Sequence, residues 1–178
     1  LTSTQVKALT TTQLNALTTD QVQALTPTQV KGLTTLQMDN ISTASLVALT
    51  TVQMDALLAD QLNALDSAQV GALETADVAA IDIYQVGSLN NGFVTSLSTG
   101  QIAALTSAQV GRLTAGQFAQ LGTDDLVALT TSQMGAVSAA QINGLSSTQI
   151  QAIETADLQA LRVSQISSLS TTAIAALS

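Results

Sequence analysis

The side chains that could do chemistry in this chain are few, and most of them are carboxylates. The 178 residues include 12 Asp and Glu, four Lys and Arg, and no His, Cys or Trp. Without His there is no ordinary imidazole base, and without Cys there is no thiolate nucleophile or Cys-type zinc site. Asp124 and Asp125 are adjacent, and adjacent residues on a helix do not face one another. We therefore expect no enzyme and no catalytic residue.

A group of acidic residues lies in the middle of the chain, where no Lys or Arg occurs between Lys31 and Arg112. Carboxylate oxygens are calcium ligands, but neither the EF-hand loop nor the Gly-Gly-x-Gly-x-Asp nonapeptide is present. We expect a solvated acidic flank with no metal or cofactor, and weak Ca²⁺ binding is the alternative. The group consists of Asp55, Asp60, Asp66, Glu74, Asp77 and Asp82.

The charge and hydropathy of the chain exclude two further classes of partner. A net charge of −8 with four basic residues is unsuited to neutralising nucleic-acid phosphates. The mean hydropathy is +0.38, yet no aliphatic stretch approaches the ~20 residues of a membrane-spanning helix. We expect no nucleic-acid binding and no membrane insertion.

An eight-residue repeat organises the whole chain. Residues 2–177 divide into 22 octads without insertion or deletion, with the consensus Thr-x-x-Gln-Val-x-Ala-Leu. Position five is Val, Leu, Ile, Met or Phe in every octad, and position eight is Leu, Ile or Val. Gln holds position four in 16 octads, and position seven is Ala, Gly or Ser in 19. Such a repeat predicts a solenoid, here a single one over residues 1–178.

Each octad carries its own signals for starting a helix. Thr or Ser followed three residues later by Gln is a capping box, and the Leu before the cap with the Val after the Gln is a hydrophobic staple. Pro27, the only proline, falls at the first helical position, which tolerates it. We predict an all-α solenoid of 22 short capped helices. The alternative is a β-solenoid, which Thr and Val would favour but which would place positions five and eight on opposite faces.

The repeat also predicts how the octads pack. Eight residues cannot fold alone, so positions five and eight must be buried against neighbouring octads, and small residues at position seven allow close approach. Met38, Met54 and Met134 occupy position five and are predicted core residues. The number of octads per turn of the coil stays open. Residues 74–77 recur at 154–157, which suggests an ~80-residue duplication, about 18–97 and 98–177.

Three surface features are candidates for binding. Rows of Ser and Thr could meet ice or glycans, although capping already explains the hydroxyls at position one. Asn40-Ile41-Ser42 is formally a glycosylation sequon. Residues 90–93 (Asn-Asn-Gly-Phe) depart most from the consensus and mark a kink, a specialised contact or simple drift.

The run Ala-Leu-Thr-Thr-x-Gln-Val resembles repetitive segments of very large secreted or surface-attached bacterial proteins, the adhesin-like giants. The resemblance covers the whole chain and implies an extracellular or cell-surface location and a role in adhesion, matrix or filament formation. It also implies no catalysis. Because neither end is polar or atypical, we expect end-to-end self-association or continuation of the same array. The expected function is a structural rod, fibre, filament subunit or adhesin stalk.

Overall fold

A computed structural model describes residues 1–177 of the chain. Among these residues the only secondary structure is helical, with one helix of four to six residues in each octad. The prediction of short capped helices is confirmed, and no strand of a β-solenoid occurs in this range. The helices are α1 (Ser3–Lys7), α2 (Thr11–Asn15), α3 (Thr19–Gln23), α4 (Pro27–Lys31), α5 (Thr35–Asp39), α6 (Thr43–Val47), α7 (Thr51–Ala56), α8 (Ala59–Leu62), α9 (Ser67–Ala72), α10 (Thr75–Ala80), α11 (Ile83–Val86), α12 (Asn91–Ser96), α13 (Thr99–Ala104), α14 (Ser107–Arg112), α15 (Ala115–Phe118), α16 (Thr123–Ala128), α17 (Thr131–Met134), α18 (Ala139–Asn143), α19 (Ser147–Gln151), α20 (Thr155–Gln159), α21 (Val163–Ile166) and α22 (Thr171–Ala176).

The helices start where the capping signals predict. At the start of α2, the Thr10 side chain accepts a hydrogen bond from the backbone N–H of Gln13, and the Gln13 side chain accepts one from the N–H of Thr10. Pro27 is the first residue of α4, where its missing N–H costs nothing. Each cap pairs amide groups that a short helix would otherwise leave without a partner.

The corners of the coil are built from extended backbone rather than from left-handed residues. After α7, Leu57 has φ −63° and ψ 144°, and the next residue, Leu58, has φ −84° and ψ 154°. No residue of the described range has a positive φ. Position eight of one octad and position one of the next therefore form a two-residue extended link that requires no glycine, which is why ten glycines suffice for 22 octads.

Among the described residues, the helices fall into two compact units, residues 1–97 and 98–177. Within each unit, most helices pack on the helix three octads later, while α18 packs on α22, four octads later. In the first unit α1 contacts α4, α4 contacts α7 and α7 contacts α10, and in the second α13 contacts α16 and α16 contacts α19. Each unit is thus a solenoid in its own right. The ~80-residue duplication stays a prediction.

Positions five and eight form the core, as predicted. Position five is buried in every octad from Val6 to Ile150, and position eight in every octad from Leu25 to Leu161. The small residue at position seven lies against the previous turn: a Cβ on Gly32 would stand 3.3 Å from Ser3, and one on Gly144 would stand 3.4 Å from the carbonyl oxygen of Ala115. No helix of the described range is long and apolar enough to cross a membrane.

Candidate functional site: glutamine ladders between coil turns

The position-four glutamines are buried polar residues that complete the start of their own helices. Gln53 has only 2% of its surface exposed, and its Oε1 accepts a 2.7 Å hydrogen bond from the backbone N–H of Thr50. This is the capping role that the repeat predicts. A cap alone does not require burial, since Gln13 makes the same bond and is exposed.

Burial follows from a second role, in which the same side chain contacts the previous turn of the coil. Nε2 of Gln53 donates to the carbonyl oxygens of Val22 at 2.8 Å, Leu25 at 2.6 Å and Gln23 at 3.3 Å. Val22 and Gln23 lie in the last turn of α3 and Leu25 follows it, and a short helix leaves most of its final carbonyls without an N–H partner from a further turn. The carbonyl of Val22 also accepts from the backbone N–H of Leu25 at 3.1 Å. One glutamine therefore closes the start of one helix and the end of another.

We call this set of contacts the glutamine ladder. In every rung the amide donates to position-eight and position-five or position-six carbonyls of the octad four earlier, 28 to 31 residues back. The rungs include Gln37, Gln53, Gln61 and Gln69 in the first unit and Gln133, Gln141, Gln149 and Gln165 in the second.

The ladder explains why the repeat uses Gln rather than Glu at position four. Glu serves equally well as the acceptor of a capping box. It carries no N–H donor, however, and its charge would lie against carbonyl oxygens. Gln occurs at this position in 16 octads and Glu in none. That imbalance is the sequence signal for the second role, for which the predicted capping box does not account.

The two kinds of contact also fix the number of octads per turn, which the sequence left open. Most helices pack on the helix three octads away, while each glutamine of the ladder reaches the octad four away. One turn of the coil therefore holds between three and four octads. The start of each helix lies over a helix end, because successive turns are staggered.

Three octads lack both Gln and Asp at position four, and an asparagine from the previous turn replaces the missing contact. Where Ser45 stands in place of Gln, Oδ1 of Asn15 accepts a 2.8 Å hydrogen bond from the backbone N–H of Ser42, the cap of the same helix. Nδ2 of Asn15 donates to the carbonyl of Asn40 at 2.8 Å. The N–H of the cap residue thus finds its acceptor in the previous turn of the coil instead of in its own octad.

The exchange is the same at all three places. In the octad of Phe93, Oδ1 of Asn63 accepts a 2.7 Å hydrogen bond from the N–H of Asn90. In the octad of Ala173, Oδ1 of Asn143 accepts a 2.8 Å hydrogen bond from the N–H of Ser170. Among the 22 octads, position six is Asn only at Asn15, Asn63 and Asn143. Each of these residues lies 30 residues before the octad position at which Gln is replaced. This constant separation of 30 residues is the sequence signal of the exchange, and the repeat consensus alone does not reveal it.

The unusual segment 90–93 is therefore a specialised contact. The Asn90 side chain caps α12 through the N–H of Phe93 at 2.7 Å, and its Nδ2 donates to the carbonyl of Asn63 at 3.1 Å. Phe93 is buried, and α12 forms as in the other octads. No kink is needed.

In three octads Asp stands at position four, and two of these carboxyls are buried. Asp77 accepts a 3.2 Å hydrogen bond from the N–H of Glu74, as a shorter version of the glutamine cap. Burial raises the pKa of Asp77, with the neighbouring Glu74 charge adding to the rise and the backbone hydrogen bond opposing it. Burial and the Glu154 charge likewise raise the pKa of Asp157. Burial and the neighbouring glutamate thus disfavour the charged form of both carboxyls.

The other candidate residues take separate places. Asp125 accepts from the N–H of Gly122 at 3.0 Å, and Asp124 is exposed, so the adjacent pair shares no site. Asp66 and Asp82 cap α9 and α11, while Asp55 and Asp60 are exposed. Among residues 1–177 no group of three or more His, Cys, Asp or Glu is arranged to hold a metal ion. Weak Ca²⁺ binding stays a prediction.

The remaining predicted features are surface or core residues. Asn40 is exposed and its Nδ2 donates to the carbonyl of Leu36 at 3.0 Å. Met38, Met54 and Met134 are fully buried, as core residues at position five should be. The threonine hydroxyls at position one accept helix-start amides, so those of Thr10 and Thr106 are engaged in capping.

Comparison with known proteins agrees with the repeat. The profile of the ALTTAQ repeat family matches residues 1–35, 94–123, 118–152 and 150–178, which is more than half of the chain. The intervening residues 36–93 continue the same octads and hold three of the position-four exceptions, Ser45, Asp77 and Phe93. No curated protein is significantly similar to the chain.

Proposed function

Because this chain belongs to the ALTTAQ repeat family, we propose that it is a non-enzymatic structural element that acts outside the cell or on the bacterial surface. It serves as a section of a rod, fibre, filament or adhesin stalk. Its partners are further octads of the same kind, either in the same polypeptide or in another copy. The glutamine ladder is the observation that carries this proposal.

The ladder suits a load-bearing role because it joins each turn to the previous one by several hydrogen bonds. In the first unit, Nε2 of Gln61 bonds Val30 and Leu33 at 3.0 and 2.8 Å, and Nε2 of Gln69 bonds Met38 and Ile41 at 3.1 and 2.7 Å. These bonds lie beside one another in successive octads. A force that separates two turns must break them together, so the resistance grows with the number of rungs.

The surface chemistry supports a passive role. The side chains that carry most of the polar contacts are neutral amides and hydroxyls, and only 9% of the residues are charged. The helices are four to six residues long, far below the length at which an isolated helix is stable in water. Each octad thus depends on its neighbours for stability, and the array is most stable as an uninterrupted stack.

Location and shape are tested separately. Antibodies raised against the purified chain should label intact cells of the source bacterium, or its extracellular matrix. Labelling that appears only after lysis would refute the extracellular role. Small-angle X-ray scattering at low concentration should give an elongated monomer, and a compact monomer would refute the rod.

A further inference from the structure

Two asparagines of the chain are followed directly by glycine, and they lie in different surroundings. The chain contains six asparagines, and only Asn91 and Asn143 precede a glycine. In such a pair the backbone nitrogen of the glycine can attack the side-chain amide of the asparagine, because glycine has no Cβ to obstruct the approach. The contacts around each pair decide how readily it reaches that geometry.

Asn91 is the less restrained of the two asparagines. It is the first residue of α12, and both Asn91 and Gly92 are exposed. The N–H of Gly92 lies in the first turn of the helix, where the helix itself supplies no carbonyl acceptor. Among the described residues, no hydrogen bond restrains the side chain of Asn91. Both reacting groups are therefore available to one another.

Gly92 is favoured at its position by the asparagine cap that precedes it. A Cβ at residue 92 would stand 3.2 Å from Oδ1 of Asn90. That oxygen accepts the 2.7 Å hydrogen bond from the N–H of Phe93 that caps α12. A larger residue at position 92 would therefore press against the acceptor of the cap. The glycine that makes Asn91 reactive thus accompanies the exchange of Asn for Gln in this octad.

Asn143 has the same following residue, but both of its reacting groups are held. It is the last residue of α18, and its side chain makes two hydrogen bonds to the next turn of the coil. Nδ2 donates to the carbonyl of Ser168 at 3.1 Å, and Oδ1 accepts from the N–H of Ser170 at 2.8 Å. The N–H of Gly144 donates to two carbonyls of α18, at 3.2 Å each. Ring closure at Asn143 must break these bonds first.

We propose that Asn91 is a site of spontaneous deamidation and that the contacts of Asn143 protect it from the same reaction. The nitrogen of Gly92 forms a bond to Cγ of Asn91, the Cγ–Nδ2 bond breaks, and Nδ2 leaves as ammonia with the proton from the glycine nitrogen. This step produces a succinimide ring. Water then adds to either carbonyl of the ring and opens it. The net reaction consumes one water molecule and releases one ammonia.

The ring opens to two products that differ in their effect on the fold. Addition of water at Cγ gives aspartate with an unchanged backbone, whereas addition at the main-chain carbonyl gives isoaspartate, whose backbone runs through Cβ and Cγ. Isoaspartate lengthens the chain between Asn90 and Phe93 by one atom, which disrupts the cap of α12. Asn90 also makes the hydrogen bonds to Asn63, at 2.7 and 3.1 Å, that join this octad to the previous turn. Isoaspartate at residue 91 therefore loosens one defined contact of the first unit.

The test compares the two pairs within one folded chain by peptide mapping. Trypsin cleaves after the four basic residues, which leaves Asn91 in the fragment 32–112 and Asn143 in the fragment 113–162. The purified chain is incubated in warm, mildly alkaline buffer, and isoaspartate is measured over time by mass spectrometry with electron-transfer fragmentation. We expect fragment 32–112 to convert at least about tenfold faster, which corresponds to about 1.4 kcal/mol in activation free energy.

Two controls separate the effect of the fold from that of the local sequence. In guanidinium chloride, where no contact protects Asn143, the two fragments should convert at similar rates. N91T introduces the residue that is commonest at position two of the octads, and it should abolish isoaspartate formation at residue 91. After the same incubation, wild type should contain a population with a lower urea midpoint of unfolding, and N91T should not.

The proposal would be overturned by equal conversion of the two fragments in the folded chain, or by a difference between them that is as large in guanidinium chloride. Isoaspartate in fragment 32–112 that N91T leaves unchanged would overturn it as well. So would a folded chain in which Asn91 stays intact while the unfolded chain converts. None of these results affects the surface labelling or the shape of the dilute monomer, which test the structural function itself.

Discussion

Replacing a ladder glutamine with alanine separates its two roles, because the chain contains the same residue with and without a previous turn. Gln53 and Gln13 both follow a threonine cap and both accept from its N–H, at 2.7 and 2.9 Å. Gln53 alone also donates to the previous turn. The comparison of Q53A with Q13A therefore measures the ladder contact with the cap contact held in common.

The expected magnitude follows from the bonds lost. A typical intramolecular hydrogen bond contributes about 0.5–1.5 kcal/mol, so Q13A should lower the free energy of unfolding by about 1 kcal/mol. Q53A loses in addition the bonds to Val22 and Leu25 at 2.8 and 2.6 Å and leaves their buried carbonyls without the side-chain donor. We expect a further loss of about 2–4 kcal/mol, for a total of about 3–5 kcal/mol.

The assay is urea unfolding followed by far-ultraviolet circular dichroism, with the dependence on urea concentration compared between variants. Both residues lie in the first unit, so the same transition reports on both. Q53E is the second probe: it keeps a cap acceptor and loses the donor, so it should be at least as destabilising as Q53A. Equal losses for Q53A and Q13A would refute the ladder as a source of stability and leave only the cap.

Three further predictions concern the exceptions and the core. N15A should destabilise the first unit by about 1–3 kcal/mol, because the N–H of Ser42, the cap in the next turn, loses its acceptor. Adding S45Q should restore most of that loss, because it supplies a ladder glutamine. A double variant that is no more stable than N15A would contradict the exchange of Asn for Gln. Since burial raises the pKa of Asp77 above its ordinary value of about 3.9, the native chain holds that proton more tightly than the unfolded chain. Stability should therefore fall as pH rises from about 4 through the raised pKa, and D77N should be more stable than wild type at pH 7 with a weaker dependence on pH, as urea titrations at several pH values would show. In the core, L73A should cost about 2–5 kcal/mol and T106A about 0.5–2 kcal/mol, measured by the same unfolding assay; equal and negligible effects would show that the octad register is wrong.

Local physics made much of this fold predictable. A capping box, a staple and Pro27 at the first helical position act within one octad, so the sequence alone indicates where each helix begins. The alternation of position five and position eight likewise predicted the residues that are buried from Val6 to Ile150 at position five and from Leu25 to Leu161 at position eight, whereas Ile166 and Ile174 are exposed. The interpretation of Gln as a cap was correct and incomplete.

The contact between turns could not be predicted from the sequence. The carbonyl partners of Gln53 lie 28 to 31 residues away, and no local rule specifies that distance. It depends on the angle between successive helices, which the extended two-residue links set. Once the distance is known, the separation of 30 residues between Asn15 and Ser45 is readily explained, as is the burial of Asp77. The buried polar positions were therefore the least predictable part of the candidate site.

The pairing of each asparagine with an octad one turn later limits how this gene can change in length. Repeats of eight residues are prone to gain or lose whole units, and a ladder of identical glutamines tolerates either event, because every octad offers the same donor and the same acceptors. The asparagine pairs do not tolerate such events. One octad more or fewer inside the intervals 15–45, 63–93 or 143–173 would place the asparagine beside a cap N–H that already bonds to Gln, and it would leave the N–H of another cap without an acceptor. Copy-number variation among natural versions of this array should accordingly fall in the stretches 46–62 and 94–142, and the three intervals should keep their lengths.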